Sequence, residues 1–146
     1  MPMSQETPVD CRVITDAATD DIVRLYRDAG WWDDHYGEDF IPRMLRDSFC
    51  VVAAFDADGK MVGMGRAISD GCSDAYIQDI VVLREYRRGG IGGKIVATLL
   101  ERLRAADIDW IGLVAAPGTE KFYHSIGFEP MRDYIPMIYK QENGDN

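Results

Sequence analysis

The sequence has few cysteines and few histidines. Its 146 residues contain three cysteines, Cys11, Cys50 and Cys72, and two histidines, His35 and His124. An odd, sparse set of cysteines without a C-x-x-C spacing argues against a disulfide framework and predicts a reducing compartment, which we expect to be the cytoplasm. Two isolated histidines argue against a histidine-rich metal site, so we expect no metal cofactor.

Basic residues and long apolar runs are scarce as well. Lysine and arginine number 16 against 25 aspartates and glutamates, which gives a net charge of −9. Such an acidic surface disfavours nucleic acid and anionic membranes, because both are polyanions. No apolar run approaches the roughly 20 residues that span a bilayer, and the first residues lack the basic and apolar regions of a signal peptide. We therefore expect neither a nucleic-acid nor a membrane partner.

Length and apolar content fit one globular domain. Apolar residues make up 47% and charged residues 28% of the chain, which is typical of a folded protein with its own core. We therefore predict a single domain over residues 1–146, with an ordered core at about residues 10–140 and a polar tail at residues 141–146.

Hydrophobic periodicity predicts a mixed α/β fold. Apolar alternation and i, i+4 spacing give the element order β-α-α-β-β-β-α-β-α-β-β. A hairpin turn at residues 56–59 feeds a central strand at residues 75–83, whose nearly continuous apolar run predicts burial on both faces. Thr19 or Asp20 is predicted to cap the first helix, which Gly30 ends. The predicted strands are residues 11–15, 49–55, 61–68, 75–83, 110–114, 128–131 and 136–140, and the predicted helices are 19–29, 39–47, 91–106 and 119–125.

A glycine-rich, basic loop separates the central strand from the longest helix. Residues 83–104 carry six basic and two acidic side chains, so this window has a charge of +4 while the rest of the chain carries −13. Four glycines let the backbone approach a ligand closely, and the following helix N-terminus offers unpaired N–H groups to an anion. The segment predicts a pyrophosphate site; the alternatives are a flexible turn and a solvated basic helix face. Its spacing fits neither a P-loop nor the dinucleotide pattern G-x-G-x-x-G.

Two motifs resemble those of the GNAT (Gcn5-related N-acetyltransferase) superfamily. Residues 87–92, RRGGIG, resemble the family's acyl-CoA-binding pattern Q/R-x-x-G-x-G/A. Residues 122–128, FYHSIGF, resemble its F-Y-x-x-x-G-F helix and strand. The likeness covers residues 49–139. It implies a GNAT-like mixed α/β fold, with a mostly antiparallel, twisted central sheet that contains a splayed strand pair and is flanked by helices.

By this resemblance, acetyl-CoA is the co-substrate and two segments bind it. The backbone of the splayed strand pairs with the acyl-pantetheine arm, and the glycine loop holds the pyrophosphate. The residues implied for the arm are Ile80, Val81 and Val82, and those implied for the pyrophosphate are Arg87, Arg88, Gly89, Gly90, Ile91, Gly92, Gly93 and Lys94.

Acetyl transfer to an amine needs a base for the protonated amine and an acid for the departing thiolate. The resemblance places Tyr123 as the general acid, and a phenol with a pKa near 10 is protonated at neutral pH. Asp79 is the candidate base, because a carboxylate within an apolar run needs a reason. The alternatives are that Tyr123 only packs and that Asp79 makes a structural hydrogen bond to loop backbone. Adjacent strand residues face opposite ways, so we expect that Gln78 and Asp79 do not both enter the cleft.

The segment between the first two helices is the candidate acceptor site. In the family the corresponding region lines that site, and aromatic rings beside carboxylates attract a cation. The alternative is that the tryptophans only fasten the helices to the core. The candidate acceptor residues are Trp31, Trp32, Asp33, Asp34, Tyr36 and Gln78.

The resemblance implies an acetyl-CoA-dependent N-acetyltransferase that transfers the acetyl group directly from the thioester to a primary amine of a small molecule or a peptide. The alternatives are a glucosamine-phosphate-type or other acyl-CoA acyltransferase and a non-catalytic CoA-binding sensor module. Gln78 stands where glucosamine-phosphate N-acetyltransferases carry an acid, which argues against that acceptor. A homodimer is expected by analogy alone.

Overall fold

The computed structural model of the chain describes residues 8–141, so the predicted polar tail lies, apart from Gln141, outside the described residues. The chain divides into two compact units, Met1–Leu113 and Val114–Asn146. Within the described residues, the first unit contains one sheet and three α-helices, and the second contains one short α-helix. The strands are β1 (Asp10–Ile14), β2 (Cys50–Phe55), β3 (Met61–Ile68), β4 (Asp74–Val82) and β5 (Trp110–Gly112), and the helices are α1 (Thr19–Asp28), α2 (Phe40–Asp47), α3 (Ile91–Ala105) and α4 (Glu120–Ser125).

The sheet is mixed and mostly antiparallel, as predicted. Its strands follow in chain order from β1 to β5, each pair from β1 to β4 is antiparallel, and β5 joins β4 in parallel. The predicted hairpin turn connects β2 to β3. Asp56 holds this turn, because its Oδ1 accepts hydrogen bonds from the N–H groups of Asp58 and Lys60, both at 2.9 Å.

One part of the core lies between the sheet and α3, and α1 and α2 bury a further set of side chains, Ile22, Leu25, Ile41 and Leu45. Ile95 and Leu99 are fully buried on α3. They lie over two glycines of β3: a Cβ at Gly63 would stand 3.0 Å from the Ile95 side chain, and one at Gly65 would stand 3.2 Å from that of Leu99. Burying such a side chain contributes roughly 1.5–3 kcal/mol. The two glycines therefore let α3 lie close to the sheet.

Helix α1 begins without the predicted cap. Ala18 occupies the N-cap position and no side chain caps the helix, while Thr19 is its first residue. The C-terminal end follows the prediction more closely. Gly30 has a φ of +78°, and the N–H of Trp31 donates to the carbonyl of Tyr26 at 2.9 Å. A glycine tolerates this left-handed backbone, so the chain turns out of the helix there.

The prediction that β4 is buried on both faces is wrong for its first half. Residues of this half alternate between exposed and buried, and the Tyr76 side chain is 48% exposed. The apolar run therefore contains a tyrosine whose polar end reaches water, a behaviour that periodicity cannot separate from burial.

The predicted closing strands are also wrong. Among the described residues after Ser125, none lies in a helix or strand. Each of the two predicted segments contains a proline, Pro130 in residues 128–131 and Pro136 in residues 136–140. Proline has no N–H to donate to a ladder, which weakens a strand at those positions.

Candidate functional site

The end of β4 has one unpaired edge. Strand β5 pairs only with the first three residues of β4, Asp74 to Tyr76. From Ile77 to Val82, β3 is the one described strand that pairs with β4. Of the predicted arm-binding residues, Val82 already uses its carbonyl, which accepts a hydrogen bond from Arg87 Nε at 3.0 Å. The remaining backbone groups on this edge could pair with an extended ligand, as a further strand would.

The glycine loop leads from this edge to the N-terminus of α3. Gly90 occupies the N-cap position with a φ of +80°, and Arg88 has a φ of +70°. The N–H groups of the first helical turn, from Ile91 to Gly93, have no partner within the helix. They lie at the positive end of the helix dipole. This is the arrangement predicted for the pyrophosphate.

The three basic side chains of the loop differ in their partners. Arg87 bonds to Val82 and lies 3.7 Å from Asp28 Oδ2. Arg88 and Lys94 are exposed and form no ion pair with any described residue. These two are therefore available to an anion, whereas Arg87 is partly committed to the fold.

Asp28, at the end of α1, anchors the start of the loop. Its Oδ2 accepts a hydrogen bond from the N–H of Arg84 at 3.0 Å, in the short 3-10 turn Arg84–Tyr86. The sequence analysis missed this residue. No local signal marks it, because its partners lie 56 and 59 positions further along the chain.

Strand β4 contains a bulge at Asp79. Arg66 pairs with Gln78 and Met64 pairs with Val81, so Gly65 alone faces two residues of β4. Asp79 has a φ of +57° there, which only a few per cent of non-glycine residues adopt, aspartate more readily than most. The bulge breaks the alternation of side chains, so the expectation that Gln78 and Asp79 face opposite ways is wrong here. Both side chains reach Arg66.

The carboxylate of Asp79 is held by residues of two other elements. Its Oδ2 accepts hydrogen bonds from Arg66 Nε at 2.6 Å and from the hydroxyl of Tyr26 at 2.8 Å. No described residue donates to its other oxygen, Oδ1. The sequence alternative of a bond to loop backbone is therefore replaced by bonds to side chains. Arg66 gave a signal that we missed: a charge within the otherwise apolar strand MVGMGRAI needs a partner.

The Tyr26 hydroxyl stays protonated at neutral pH and donates to Asp79. Only 7% of the residue is exposed. Burial, and then the neighbouring Asp79 carboxylate, raise the pKa of the Tyr26 hydroxyl far above its usual value, despite the opposing charge of Arg66. The phenol therefore stays protonated across the neutral range and donates to the carboxylate.

The aromatic residues between α1 and α2 pack on one another. Trp32 lies 6.4 Å from Tyr26 of α1 and 6.2 Å from Phe40 of α2, measured between ring centroids, and it meets Tyr36 edge-on at 5.8 Å. Among the aromatic rings of the described residues, Trp31 pairs with Tyr26 alone, at 5.9 Å, and it is 45% exposed. Trp32 thus joins the two helices, as the packing alternative states, while Trp31 presents a free ring surface.

Both predicted acceptor carboxylates already have partners. Asp34 pairs with Arg27 of α1 at 2.5 Å. Asp33 accepts hydrogen bonds from the backbone N–H of His35 at 2.8 Å and contacts its Nδ1 at 2.7 Å. These contacts lower the pKa of Asp33, with the backbone bond as the largest cause. Asp33 and Asp34 are therefore both engaged with neighbouring side chains.

Tyr123 lies in the second unit, on α4. Its ring packs edge-on against Phe122 and Phe128, with centroid distances of 4.9 and 5.9 Å. Burial raises the pKa of the Tyr123 phenol, which keeps it protonated at neutral pH. Gly127, with a φ of +104°, follows α4 and lets the N–H of Phe128 donate back to the carbonyl of Tyr123 at 3.0 Å.

Neither a metal-binding cluster nor a membrane-spanning helix is present in the described residues. Within residues 8–141, no group of three or more histidine, cysteine, aspartate or glutamate side chains is placed to hold a metal ion. No helix in that part of the chain is long and apolar enough to cross a membrane.

Comparison with known proteins identifies relatives. Residues 16–128 match the model of the "Acetyltransferase (GNAT) family". An uncharacterized N-acetyltransferase, ycf52, from Pyropia yezoensis is 38% identical over 87 residues, which are 58% of this chain and 50% of that protein. The chain spans about half the length, or less, of the curated relatives that it matches first.

Solved structures share the fold. A GNAT family acetyltransferase from Streptococcus pneumoniae TIGR4 has a TM-score of 0.79 at 26% identity, covering 92% of this chain and 99% of that one. An aminoglycoside N-acetyltransferase, AAC(6′)-Iy, in complex with CoA has a TM-score of 0.73, covering 97% and 99% of the two chains. Its identity of 17% shows likeness of fold alone.

Proposed function

The chain belongs to the GNAT acetyltransferase family, and from this premise we propose that it transfers an acetyl group from acetyl-CoA directly to a primary amine of a small molecule or peptide. The observation that carries this proposal is the unpaired edge of β4 running into the glycine loop and the N-terminus of α3. We further propose that residues 1–146 act together as one acetyltransferase domain.

In this proposal, acetyl-CoA is held by backbone groups and two free cations. The N–H groups of Ile91 to Gly93, with Arg88 and Lys94, bind the pyrophosphate, because unpaired donors and positive charge converge there. Arg87 contributes by orienting the loop on Val82. The edge of β4 at Ile80 and Val82 binds the arm. A protein of the same fold, AAC(6′)-Iy, was solved in complex with CoA, which supports CoA as the ligand class of this proposal.

Bound acetyl-CoA supplies the acetyl group and the thiolate leaving group, and the residues of the chain handle the protons. A primary amine has a pKa near 10.4, so it reaches the site protonated and must lose a proton before it attacks. We assign that proton to Asp79, directly or through water. Its Oδ2 is held by Arg66 and Tyr26, which leaves Oδ1 for the amine or the water.

Tyr123 is the proposed donor to the thiolate. The phenol is protonated at neutral pH because burial raises its pKa. A phenol in that state can transfer its proton as negative charge develops on sulfur.

The acceptor is proposed to be cationic or amine-bearing and to lie near Trp31, Tyr36 and Gln78. Trp31 offers an exposed ring face, and such a face attracts an ammonium group. Asp33 and Asp34 contribute through the acidic field around the segment, since both are already paired.

Two further parts of the proposal concern the cellular compartment and the oligomeric state. All three cysteines are free thiols, Cys50 is buried and Cys72 is exposed, which supports the cytoplasm or another reducing compartment. A homodimer is proposed by analogy with the family.

Thiol release from acetyl-CoA tests the proposed function. The purified chain is incubated with acetyl-CoA and, in turn, polyamines, amino sugars, aminoglycosides, amino acids and peptides with free amines. We expect amine-dependent thiol release with one of these classes, with the acetylated amine confirmed by mass spectrometry. Release with other acyl-CoA donors only, preference for an amino-sugar phosphate, or CoA binding with no release would each replace this proposal by one of its alternatives.

A further inference from the structure

The bulge of β4 is built around three residues that no local motif connects. Tyr26 comes from α1, Arg66 from β3 and Asp79 from β4. They meet at one atom, Asp79 Oδ2, which accepts from Arg66 Nε at 2.6 Å and from the Tyr26 hydroxyl at 2.8 Å. We call these three residues the bulge cluster. Its bonds join the helix before the acceptor segment to the strand that carries the proposed acetyl-CoA edge.

Arg66 spans the bulge from the neighbouring strand. Besides Asp79, it donates from Nη2 to Gln78 Oε1 at 3.3 Å and from Nη1 to Ser48 Oγ at 3.4 Å. Only 15% of its side chain and 24% of that of Asp79 are exposed. Both charges are partly buried, and a partly buried charge that loses its partner is destabilised.

Gly65 makes room for the bulge on the opposite face. A Cβ at Gly65 would collide with the Cδ1 atom of Ile80, which follows Asp79 in the bulge. Ile80 therefore fills the space that the missing side chain leaves. The bulge is fixed from both faces, by Ile80 on the α3 side and by the bulge cluster on the α1 side.

Tyr26 also contacts the proposed acceptor segment. Its ring lies 5.9 Å from that of Trp31 and 6.4 Å from that of Trp32. One side chain thus touches both the carboxylate proposed to take the amine proton and the rings proposed to hold the amine.

We propose that Arg66 and Tyr26 are positioning residues, which hold the Asp79 carboxylate and the β4 bulge in the arrangement that acetyl transfer requires. This inference rests on the proposed function. It adds two residues that act through Asp79 and do not themselves touch the reacting atoms. Oδ2 is the anchored oxygen, and Oδ1 remains for the proton.

The first test removes one oxygen atom. Tyr26→Phe keeps the ring against Trp31 and Trp32 and deletes the bond to Asp79. We expect kcat to fall about tenfold, because a general base in the wrong position transfers the proton less efficiently. The calorimetric Kd for CoA should stay within twofold. A kcat within twofold of the wild type would overturn the inference.

A matched control exists elsewhere in the first unit. The Tyr86 hydroxyl donates to Asp56 Oδ2 at 2.8 Å, the same bond between the same two residue types, but at the hairpin turn. Tyr86→Phe should therefore leave kcat within twofold. An equal loss in both variants would mean that general destabilisation, and not the position of Asp79, lowers the rate.

A combined variant shows whether Tyr26 acts through Asp79. Asparagine tolerates the positive φ at this position, so Asp79→Asn keeps the bulge. In the Asp79→Asn background, Tyr26→Phe should lower kcat by less than a further twofold. A full tenfold loss in that background would contradict positioning through Asp79.

A final measurement needs no acceptor. Arg66→Lys keeps the charge but lacks the planar set of donors that reaches Asp79, Gln78 and Ser48. Amide hydrogen exchange at Asp79 and Ile80 should become at least threefold faster in Arg66→Lys and Tyr26→Phe, while exchange in β2 stays unchanged. Unchanged exchange at the bulge would overturn the inference. A wild type that releases no thiol with any amine would contradict the proposed function and leave this exchange result to decide the positioning claim.

Discussion

The cofactor segment, residues 87–94, and the acceptor segment, residues 30–37, are built in opposite ways. The cofactor segment presents unpaired backbone N–H groups and two free cations, Arg88 and Lys94, and of its side chains Ile91 alone is buried in the core. The acceptor segment packs its rings on Tyr26 and Phe40 and pairs both of its carboxylates with neighbours. A site made of backbone is specified by which residues are glycine. A site made of side chains is specified by partners elsewhere in the chain.

The largest expected effect comes from Tyr123, which lies outside both segments. Its substitution should slow acetyl transfer without changing CoA binding. Tyr123→Phe should lower kcat by about 100- to 10,000-fold, the usual contribution of general acid–base catalysis, with an unchanged Kd for CoA. Burial raises the pKa of Tyr123, so its phenol loses a proton only above its ordinary value of about 10. Wild-type kcat should therefore show no loss from this group between pH 7 and 9.

Steady-state kinetics with an established acceptor checks the prediction, with Tyr134→Phe as control. Tyr134 lies in the same unit and is 73% exposed. A Tyr123→Phe variant that turns over within twofold of the wild type would make Tyr123 a packing residue.

A single substitution in the cofactor segment should block the proposed pyrophosphate site without destabilising the fold. Gly90 is unsuitable, because its φ of +80° strains any side chain. Gly93 lies in α3, and a Cβ there meets nothing within 4 Å. In Gly93→Val the side chain would enter the space proposed for phosphate. Loss of two charge-assisted hydrogen bonds, each contributing about 1.5 kcal/mol, weakens CoA binding by about 100-fold.

Calorimetry with CoA measures this effect, and Ala97→Val on the same helix is the control, since Ala97 is exposed one turn further on. The melting temperature should hold in Gly93→Val, because valine favours a helix at least as well as glycine, and it should fall slightly in Ala97→Val, because valine favours a helix less than alanine. Unchanged CoA affinity in a folded Gly93→Val variant would place the pyrophosphate elsewhere.

The two tryptophans of the acceptor segment should differ in their effect on stability. Trp32 has three aromatic partners and Trp31 has one. Aromatic pairs contribute about 0.5–1.5 kcal/mol each, so Trp32→Ala should lower the free energy of unfolding by about 2–3 kcal/mol and Trp31→Ala by about 1 kcal/mol. Denaturant unfolding of both variants measures the difference.

Steady-state kinetics of Trp31→Ala and Trp32→Ala distinguishes the two interpretations of the acceptor segment, which are acceptor binding and packing of the helices. Trp31→Ala should raise the acceptor KM although it lowers the free energy of unfolding only slightly, since the Trp31 ring is the exposed one. If Trp31→Ala leaves the acceptor KM unaltered, the segment serves to fasten the helices and holds no acceptor.

The smallest expected effect concerns the paired carboxylates. Replacing Asp33 and Asp34 together with asparagine removes exposed charges whose interactions contribute at most about 1 kcal/mol, so the acceptor KM should rise by about fivefold or less. Added salt should reduce this difference, because it screens exposed charges.

The control changes the same net charge at another loop. Asp107→Asn with Asp109→Asn removes two carboxylates between α3 and β5, and there the acceptor KM should stay constant. Equal effects of the two double variants would assign the change to the field of the whole chain. An anionic preferred acceptor would contradict the cationic assignment outright.

The parts of the fold that depend on local pattern could be predicted from the sequence. The predicted strand at residues 61–68 agrees with β3, and α3 begins at Ile91 as predicted because Gly90 stops the preceding turn and Ile91, Ile95 and Leu99 repeat at helical spacing. The glycine loop belongs to this group. The turn into α3 follows from residue types within eight positions, whereas the bond from Arg84 to Asp28 that anchors the start of the loop is a distant contact.

The parts that depend on distant contacts could not be predicted. The bulge at Asp79 inverts the alternation that placed Gln78 and Asp79 on opposite faces, and it requires Arg66 and Tyr26, which lie 13 and 53 positions away. Asp28 is missing from the prediction for the same reason. Pro130 and Pro136 argue locally against the two predicted closing strands, because proline cannot donate to a strand ladder. The prediction gave more weight to the apolar composition of these segments.

Titration of the 15N-labelled chain with CoA tests the central claim most directly, since each amide reports by itself whether the ligand reaches it. The account predicts that the amides of residues 89–94 and of Ile80 and Val82 shift most, with saturation at one CoA per chain, while the amides of residues 30–37 shift little. Shifts concentrated in residues 30–37, or none at the glycine loop at saturating CoA, would contradict a pyrophosphate site at the N-terminus of α3.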